Sequence, residues 1–249
     1  MAEASLNPVE QFELRDYFSF PHISGYNIAF TNASLWMALA VLGVFLFIGL
    51  GARRPALVPG RFQTMVEMLY QFVSDMVESS AGAEGKKYFP IIFSLFIFVL
   101  FCNLFGLIPY SFSVTSQIIV TFAFAAFVFI GVTFIGFYKH GLHFFHYFLP
   151  KGLPGGLIGL VLALFMIIIE LFSYMARPVS LSIRLAANMT AGHILLQIMA
   201  SFVAVGIIGL FPFAFLLIFI GFELFVACLQ AYIFALLCSL YLNDALNMH

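Results

Sequence analysis

The sequence predicts an all-α integral membrane protein. Its expected parts are upright transmembrane helices, one amphipathic surface helix, and a C-terminal hairpin of two long, strongly tilted membrane helices. Three observations lead there. Of 249 residues, 63% are hydrophobic and 8% charged, against roughly 45–50% apolar in a soluble domain, and the mean hydropathy is +1.10. Three separate apolar runs have the length of about 20 residues that crosses a hydrocarbon core. The last third of the chain is equally apolar, but its runs are too long for upright spans and carry charges inside them.

Residues 1–30 hold Glu3, Glu10, Glu13 and Asp16, with Arg15 the only Lys or Arg. This is a polar tail without the basic start of a signal or transit peptide. The runs 32–52, 89–108 and 116–138 each fit one transmembrane helix at about 1.5 Å per residue. Arg53, Arg54, Arg61, Lys86, Lys87, Lys139 and Lys151 flank one set of helix ends, and Arg15 alone flanks the other. The positive-inside rule then puts the N-terminus outside and the C-terminus in the cytoplasm. Phenylalanine outnumbers tryptophan 34 to 1, so packing and lipid-facing surfaces are expected to be Phe-rich, with Tyr in the interfacial belts.

Between the first two spans, residues 61–80 place Phe62, Met65, Val66, Leu69, Phe72, Val73, Met76 and Val77 at three- and four-residue steps. Gln63, Glu67, Gln71, Ser74, Asp75 and Glu78 occupy the other face. The pattern predicts an amphipathic helix on the cytoplasmic surface. No stretch is long enough to form a soluble domain, so the chain reads as a single membrane domain.

From Leu153 the pattern changes. Residues 153–200 are helix-favouring but interrupted by Glu170, Arg177, Pro178 and Arg184, and residues 207–244 contain Glu223 and Gln230. A continuous helix over the first segment would be roughly 65–70 Å long, about twice a hydrocarbon thickness of ~30 Å. Either it tilts steeply or it breaks near Pro178. No hydrophilic loop separates two upright halves, which favours two long tilted helices joined near Gly206 to Pro212.

At about 100° per residue, Glu170, Ser173, Arg177, Ser180, Arg184, Asn188 and Ala191 form one small and polar stripe, and His193 points to the opposite side. Such a stripe lets another helix approach the backbone, and intramembrane charges face a protein interior or a water-filled cavity. Facing residues of an antiparallel hairpin have a nearly constant index sum. Pairing His193 with Glu223 and Arg184 with Gln230 implies one turn centred near residues 207–208, where Gly206 and Gly209 precede Pro212. An arginine at the bilayer centre costs about 2.5–3.5 kcal/mol on insertion scales. Glu170, two turns from Arg177, is placed to neutralise it, whereas no carboxylate of this chain lies within a turn or two of Arg184. The counter-ion of Arg184 is therefore expected on another protein.

Other polar features carry less. His140, His143 and His146 are rich enough to suggest a metal, but no carboxylate or thiol accompanies them, and interfacial loops favour such residues; no metal site and no cofactor is expected. Cys102, Cys228 and Cys238 match neither a zinc site nor a redox pair. No basic run suggests nucleic acid.

The segment SLSIRLAANMTAGH at 180–193, preceded by ELFSYMARPV and followed by GFELFVACLQAYIFALL, resembles subunit a of F-type rotary ATP synthases, in its mitochondrial-like bacterial form. The order of segments along nearly the whole chain is also similar, including NLFGLIPY at 103–110. The resemblance implies a stator subunit, without catalytic chemistry of its own, that holds two offset aqueous half-channels against a ring of c subunits bearing membrane-embedded carboxylates. It also implies b-type subunits of a peripheral stalk as partners, beside the lipid bilayer and protons. On this resemblance Arg184 matches the essential arginine, with Asn188 and Gln230 beside it. His193 and Glu223 serve the outer half-channel, and Glu170 and Ser180 the inner one. Some bacterial members exchange the His and Glu types.

General electrostatics agrees with those roles. Arginine stays protonated, so Arg184 acts only through its field: a ring carboxylate stays neutral in lipid and releases its proton on facing the guanidinium. A histidine titrates near neutrality and can exchange protons with outside water beside Glu223. A Met-initiated chain without a transit peptide fits a bacterial inner membrane, the mitochondrial inner membrane being the alternative. A self-contained channel or secondary transporter is the competing function, but the chain lacks the internal inverted repeat common in transporters. An intramembrane hydrolase would need a serine–histidine, paired-aspartate or HExxH arrangement, which is absent.

Overall fold

The computed structural model describes residues 12–19, 29–53, 56, 58–108, 111–141, 157–203 and 210–247. Two short strands, β1 (Asp16–Ser19) and β2 (Ala29–Thr31), pair antiparallel with Ser19 opposite Ala29 and Asp16 opposite Thr31. Six α-helices follow among the described residues: α1 (Asn32–Ala52), α2 (Arg61–Gly85), α3 (Phe89–Gly106), α4 (Ile118–His140), α5 (Leu157–Val203) and α6 (Leu210–Leu246). Five helical stretches are long and apolar enough to cross a membrane, α2 and α3 counting as one. The chain is an all-α membrane protein.

The strand pair was not expected from the sequence, because strands of three and four residues are too short to establish an alternating pattern. Side chains at the start of α1 hold it in place. The Asn32 amide nitrogen Nδ2 donates to the Glu13 carbonyl at 3.0 Å, the Asn32 backbone N–H donates to the Arg15 carbonyl at 3.1 Å, and Thr31 caps α1 by accepting from the Ser34 N–H. Gln117, which precedes α4, donates through Nε2 to the Phe12 carbonyl at 2.9 Å. The chain ahead of α1 is thereby tied to both α1 and the start of α4.

The amphipathic pattern of α2 resolves into two halves. Val73, Met76, Val77 and Ala81 are buried in a core shared with Phe96, Ile97 and Leu100 of α3 and with Phe234, Ala235 and Cys238 of α6. Earlier in the helix, Val66 meets the end of α1, where a Cβ on Gly51 would lie 3.0 Å from the Val66 Cβ. Phe62 and Met65, on the same predicted stripe, remain exposed. The polar face carries two i,i+4 hydrogen bonds, Gln63 to Glu67 and Gln71 to Asp75, each 2.7 Å. The helix runs beyond residue 80 and kinks at Gly82, whose φ of +66° belongs to the region glycine enters without a Cβ penalty.

Helix α6 is the hub, packing against α2, α3, α4 and α5. Ala227, Ala231 and Ala235 are each 0% exposed and recur every four residues, so they line one stripe of small side chains. Small residues let helix backbones approach closely where no water drives association. The approach is close enough for Asn103 Nδ2 of α3 to donate to the Ala227 carbonyl at 3.1 Å. On the far side of the bundle, α4 meets α5 through a 2.7 Å hydrogen bond between Thr133 Oγ1 and the Tyr174 hydroxyl.

Helix α5 is continuous through Pro178 over 47 residues, about 70 Å at 1.5 Å per residue. It runs antiparallel to α6, because Arg177 pairs with Asp244 near one end while Gly192 lies against Glu223 further along. The expected turn around Gly206 and Gly209 lies outside the described residues. Ala231→Leu is expected to overpack the alanine stripe and destabilise the protein by about 1–3 kcal/mol. Thermal unfolding in detergent checks this, with Ala214→Leu on the exposed side of α6 as the substitution that leaves stability unchanged.

Candidate functional site in the paired helices α5 and α6

Helix α5 presents two faces. Leu181, Leu185 and Met189 are almost completely buried, and they hold the helix against the bundle. Ser173, Ser180, Arg184, Ala187 and Ala191 are exposed at three-, four- and seven-residue steps on the other side. Apart from the arginine these residues are small, so the guanidinium stands on an open strip. Arg184 has no salt bridge among the described residues, where the ion pairs are Lys86–Glu78, Lys139–Glu84 and Arg177–Asp244. Asn188, one turn on, is half-buried, and Gln230 of α6 is buried.

Arg177 differs from Arg184 despite sharing its predicted stripe. Its Nη1 lies 3.0 Å from Asp244 Oδ2, and its guanidinium sits over the rings of Tyr174 and Tyr241 at 5.5 and 5.1 Å. The expected neutralisation by Glu170 is therefore corrected: the partner carboxylate comes from the end of α6. The two-turn spacing of Glu170 from Arg177 exceeds the i,i+4 reach of adjacent side chains, while the antiparallel course of α6 brings Asp244 alongside. Glu170 is half-buried and Ser180 exposed, both on the side of Arg184 away from His193.

On the other side of Arg184, Glu223 is buried and its carboxyl group rests on the backbone of Gly192, next to His193. A Cβ at Gly192 would lie 2.8 Å from the Glu223 carboxyl carbon, so this glycine makes room for the carboxylate. The His193 ring meets Phe12 edge-on at 6.3 Å between centroids. His193 Nε2, Gln197 Oε1, both Glu223 carboxyl oxygens and Gln230 Nε2 are buried and make no hydrogen bond.

Three further buried polar atoms without a hydrogen bond belong to residues the sequence reading passed over: Asn103 Oδ1, Ser113 Oγ and Thr115 Oγ1. They lie in the same region. Asn103 is bonded to Ala227, one turn along α6 from Glu223 and close in sequence to Gln230. Ser113 lies over Gly106 of α3 and that glycine faces Met189 of α5. Thr190 Oγ1 donates to the Ser116 carbonyl at 3.4 Å. The short turn at 113–116 thus joins α3 to the polar side of α5. The available signal was the density of polar residues at 103–117 between two apolar spans, and Gln197 standing one helical turn after His193.

Among the described residues no group of three or more His, Cys, Asp or Glu could hold a metal ion. His140 interacts through Nε2 with the Leu246 carbonyl at 3.2 Å, while His143 and His146 lie outside the described residues. Cys102 and Cys238 are buried and Cys228 is exposed, all three as free thiols.

A bundle of apolar helices whose polar machinery is concentrated in two long paired helices defines an integral membrane protein with an intramembrane polar site. Comparison with known proteins makes this specific. The family model described as ATP synthase A chain matches residues 33–243. ATP synthase subunit a of Ehrlichia chaffeensis is 50% identical over 247 residues, covering 98% of this chain and 100% of that protein. The subunit a of Pelagibacter ubique is 48% identical over 245 residues, covering 98% of each, and that of a Wolbachia from Brugia malayi is 47% identical over 245 residues, covering 98% of this chain and 100% of that protein. The chain belongs to the ATP synthase A chain family. It is a bacterial membrane protein and a component of the proton-translocating membrane sector of ATP synthase.

Arg177→Ala is expected to destabilise the chain by about 1.5–3 kcal/mol, the worth of a hydrogen bond to a charged group. Asp244→Asn should cost less, because Arg177 keeps its two tyrosine rings. A double-mutant cycle of thermal stabilities at Arg177 and Asp244 measures the coupling.

Proposed function

We propose that this chain is the stator subunit that offers two offset aqueous half-channels to the carboxylates of a c-subunit ring, with Arg184 as the electrostatic separator between them. The observation that carries the reading is the position of Arg184: exposed on a strip of small residues, without a carboxylate partner among the described residues. A charge that is expensive in lipid calls for a partner of opposite sign, and the small neighbours Ser180, Ala187 and Ala191 allow another helix to come close. A ring carboxylate that arrives and leaves with each step meets both requirements. Because the guanidinium keeps its proton, it can displace a proton from that carboxylate and repel one trying to pass directly, but cannot relay it.

In this reading the outer half-channel runs past His193 and Glu223, joined by Gln197, Asn103, Ser113 and Thr115. Their support is the cluster of buried polar atoms without hydrogen bonds. Buried polar atoms are satisfied by protein or by ordered water, and a line of them beside a carboxylate and an imidazole suits a hydrated proton path. Asn188 and Gln230 flank Arg184, and Glu170 with Ser180 borders the inner half-channel. Steep tilt of α5 and α6 would fit their lengths within the bilayer. The distribution of basic residues supports an N-terminus outside and a C-terminus in the cytoplasm, in the bacterial inner membrane. The partners are the c ring and b-type peripheral stalk subunits. Each proton crossing 100 mV supplies about 2.3 kcal/mol, which the complex converts to rotation.

Arg184→Ala is expected to reduce ATP-driven proton pumping in membrane vesicles to background while the complex still assembles; coupled pumping by the assembled variant would overturn the assignment. Gly192→Ala pushes a methyl group into the Glu223 carboxyl and is expected to lower proton flux by roughly ten- to a hundredfold, the scale that misplacement of a reacting group by about 1 Å costs in an enzyme site. Adding Glu223→Asp, whose side chain is shorter by one methylene, should recover part of the flux in the same vesicle assay.

A further inference from the structure

Helices α3 and α4 diverge enough to leave an apolar cavity of about 100 Å³ between them, floored by α6. Cys238 and Leu242 form the floor and are buried, while Ile91 and Phe127 form a rim that is 51% and 66% exposed. Its lining runs from Tyr88, which caps the start of α3, to Leu95, about 10 Å along the helix axis. The basic sequence Lys86–Lys87 immediately precedes Tyr88, and Lys139 follows the last lining residue of α4, Ile135, by one turn. One end of the cavity is therefore marked by cations and the rest by hydrocarbon side chains.

The cations at that end are not equivalent. Lys86 pairs with Glu78 at 2.8 Å. Lys139 pairs with Glu84 and also donates to the Leu246 carbonyl at 3.2 Å, capping the end of α6. Lys87 is exposed and makes neither a salt bridge nor a hydrogen bond among the described residues; the carboxylate whose field it shares, Glu84, is occupied by Lys139. A transmembrane helix, with a diameter of about 10–12 Å, is too broad for a cavity of this size. An acyl chain is narrow enough, and its phosphate would lie level with the end of α3.

We propose that this cavity is a binding site for one acyl chain of an anionic glycerophospholipid, whose phosphate is held by Lys87. The site lies on a face separate from the Arg184 strip and does not rest on the half-channel reading. Gly131 opens the cavity on the α4 side, where an added Cβ would meet no atom within 4 Å. Leucine can therefore be placed there without displacing the helix, and it would occupy the space of the lipid chain.

The test uses the intact ATP synthase complex in phosphatidylcholine liposomes containing a trace of diazirine-acyl phosphatidylglycerol or diazirine-acyl phosphatidylcholine, with adducts mapped after irradiation by peptide mass spectrometry. Residues 88–95 and 127–135 are expected to be labelled about fivefold more by the anionic lipid, the preference one lysine confers near a membrane surface. Lys87→Gln should bring the two lipids to parity, while Lys86→Gln should leave the preference intact. Gly131→Leu should remove labelling by both. Equal labelling by both lipids in the unsubstituted complex would make the cavity an ordinary lipid contact and overturn the proposal. Labelling that arises only after other subunits are stripped away would also overturn it, because a partner helix would then cover the groove. Should Gly131→Leu fail to assemble, the Lys87→Gln comparison decides by itself.

Discussion

The close approach of α3 and α5 to α6 is the constraint on which the other features depend. Without water to drive helices together, the bundle must gain its cohesion from contact, and contact at backbone distance needs small side chains. The fully buried alanines at 227, 231 and 235 provide it on α6. Their spacing leaves Glu223 and Gln230 on adjacent positions of the same buried side, so the packing that holds the bundle also carries two polar groups into it. Gly192 repeats the device on α5, where the absence of a side chain makes room for the Glu223 carboxyl group.

The same packing separates the two arginines of α5. Burial of Leu181, Leu185 and Met189 sets the rotation of the helix. In that rotation Arg177 meets Asp244, Tyr174 and Tyr241, and Arg184 faces outward. One ties the middle of α5 to the end of α6, and the other is an exposed charge without a carboxylate partner among the described residues. Their spacing of seven residues would put them on one stripe of an isolated helix, but a carboxylate of α6 pairs only with the first. Asp244 is the residue that makes the difference, since it balances the guanidinium at the place where α6 ends.

Much of the architecture was legible in the sequence because its determinants are local. Length and hydrophobicity mark the spans, three- and four-residue periodicity marks α2, and family motifs mark the site region around Arg184. The strand pair was not legible, since its hydrogen bonds link residues that share no pattern. Nor was the division of the α2 stripe into a buried half and an exposed one, because the sequence contains the apolar face but not the extent of the surface it meets. Asn103, Ser113, Thr115 and Gln197 were passed over for a similar reason: each is an ordinary polar residue in its own segment, and only the assembled bundle puts all of them near His193 and Glu223.

The sequence by itself determined that this is a helical membrane protein of the ATP synthase A chain family, since apolar run lengths and short motifs survive without knowledge of which helices touch. It also singled out Arg184 as a cation with no nearby carboxylate on its own helix. Only the tertiary structure decided that Asp244, and not Glu170, pairs with Arg177, that Glu223 lies on Gly192, and that α6 stands at the centre of the bundle. Those outcomes depend on the rotation and separation of whole helices, which are set by side-chain volumes summed over many residues far apart in the chain.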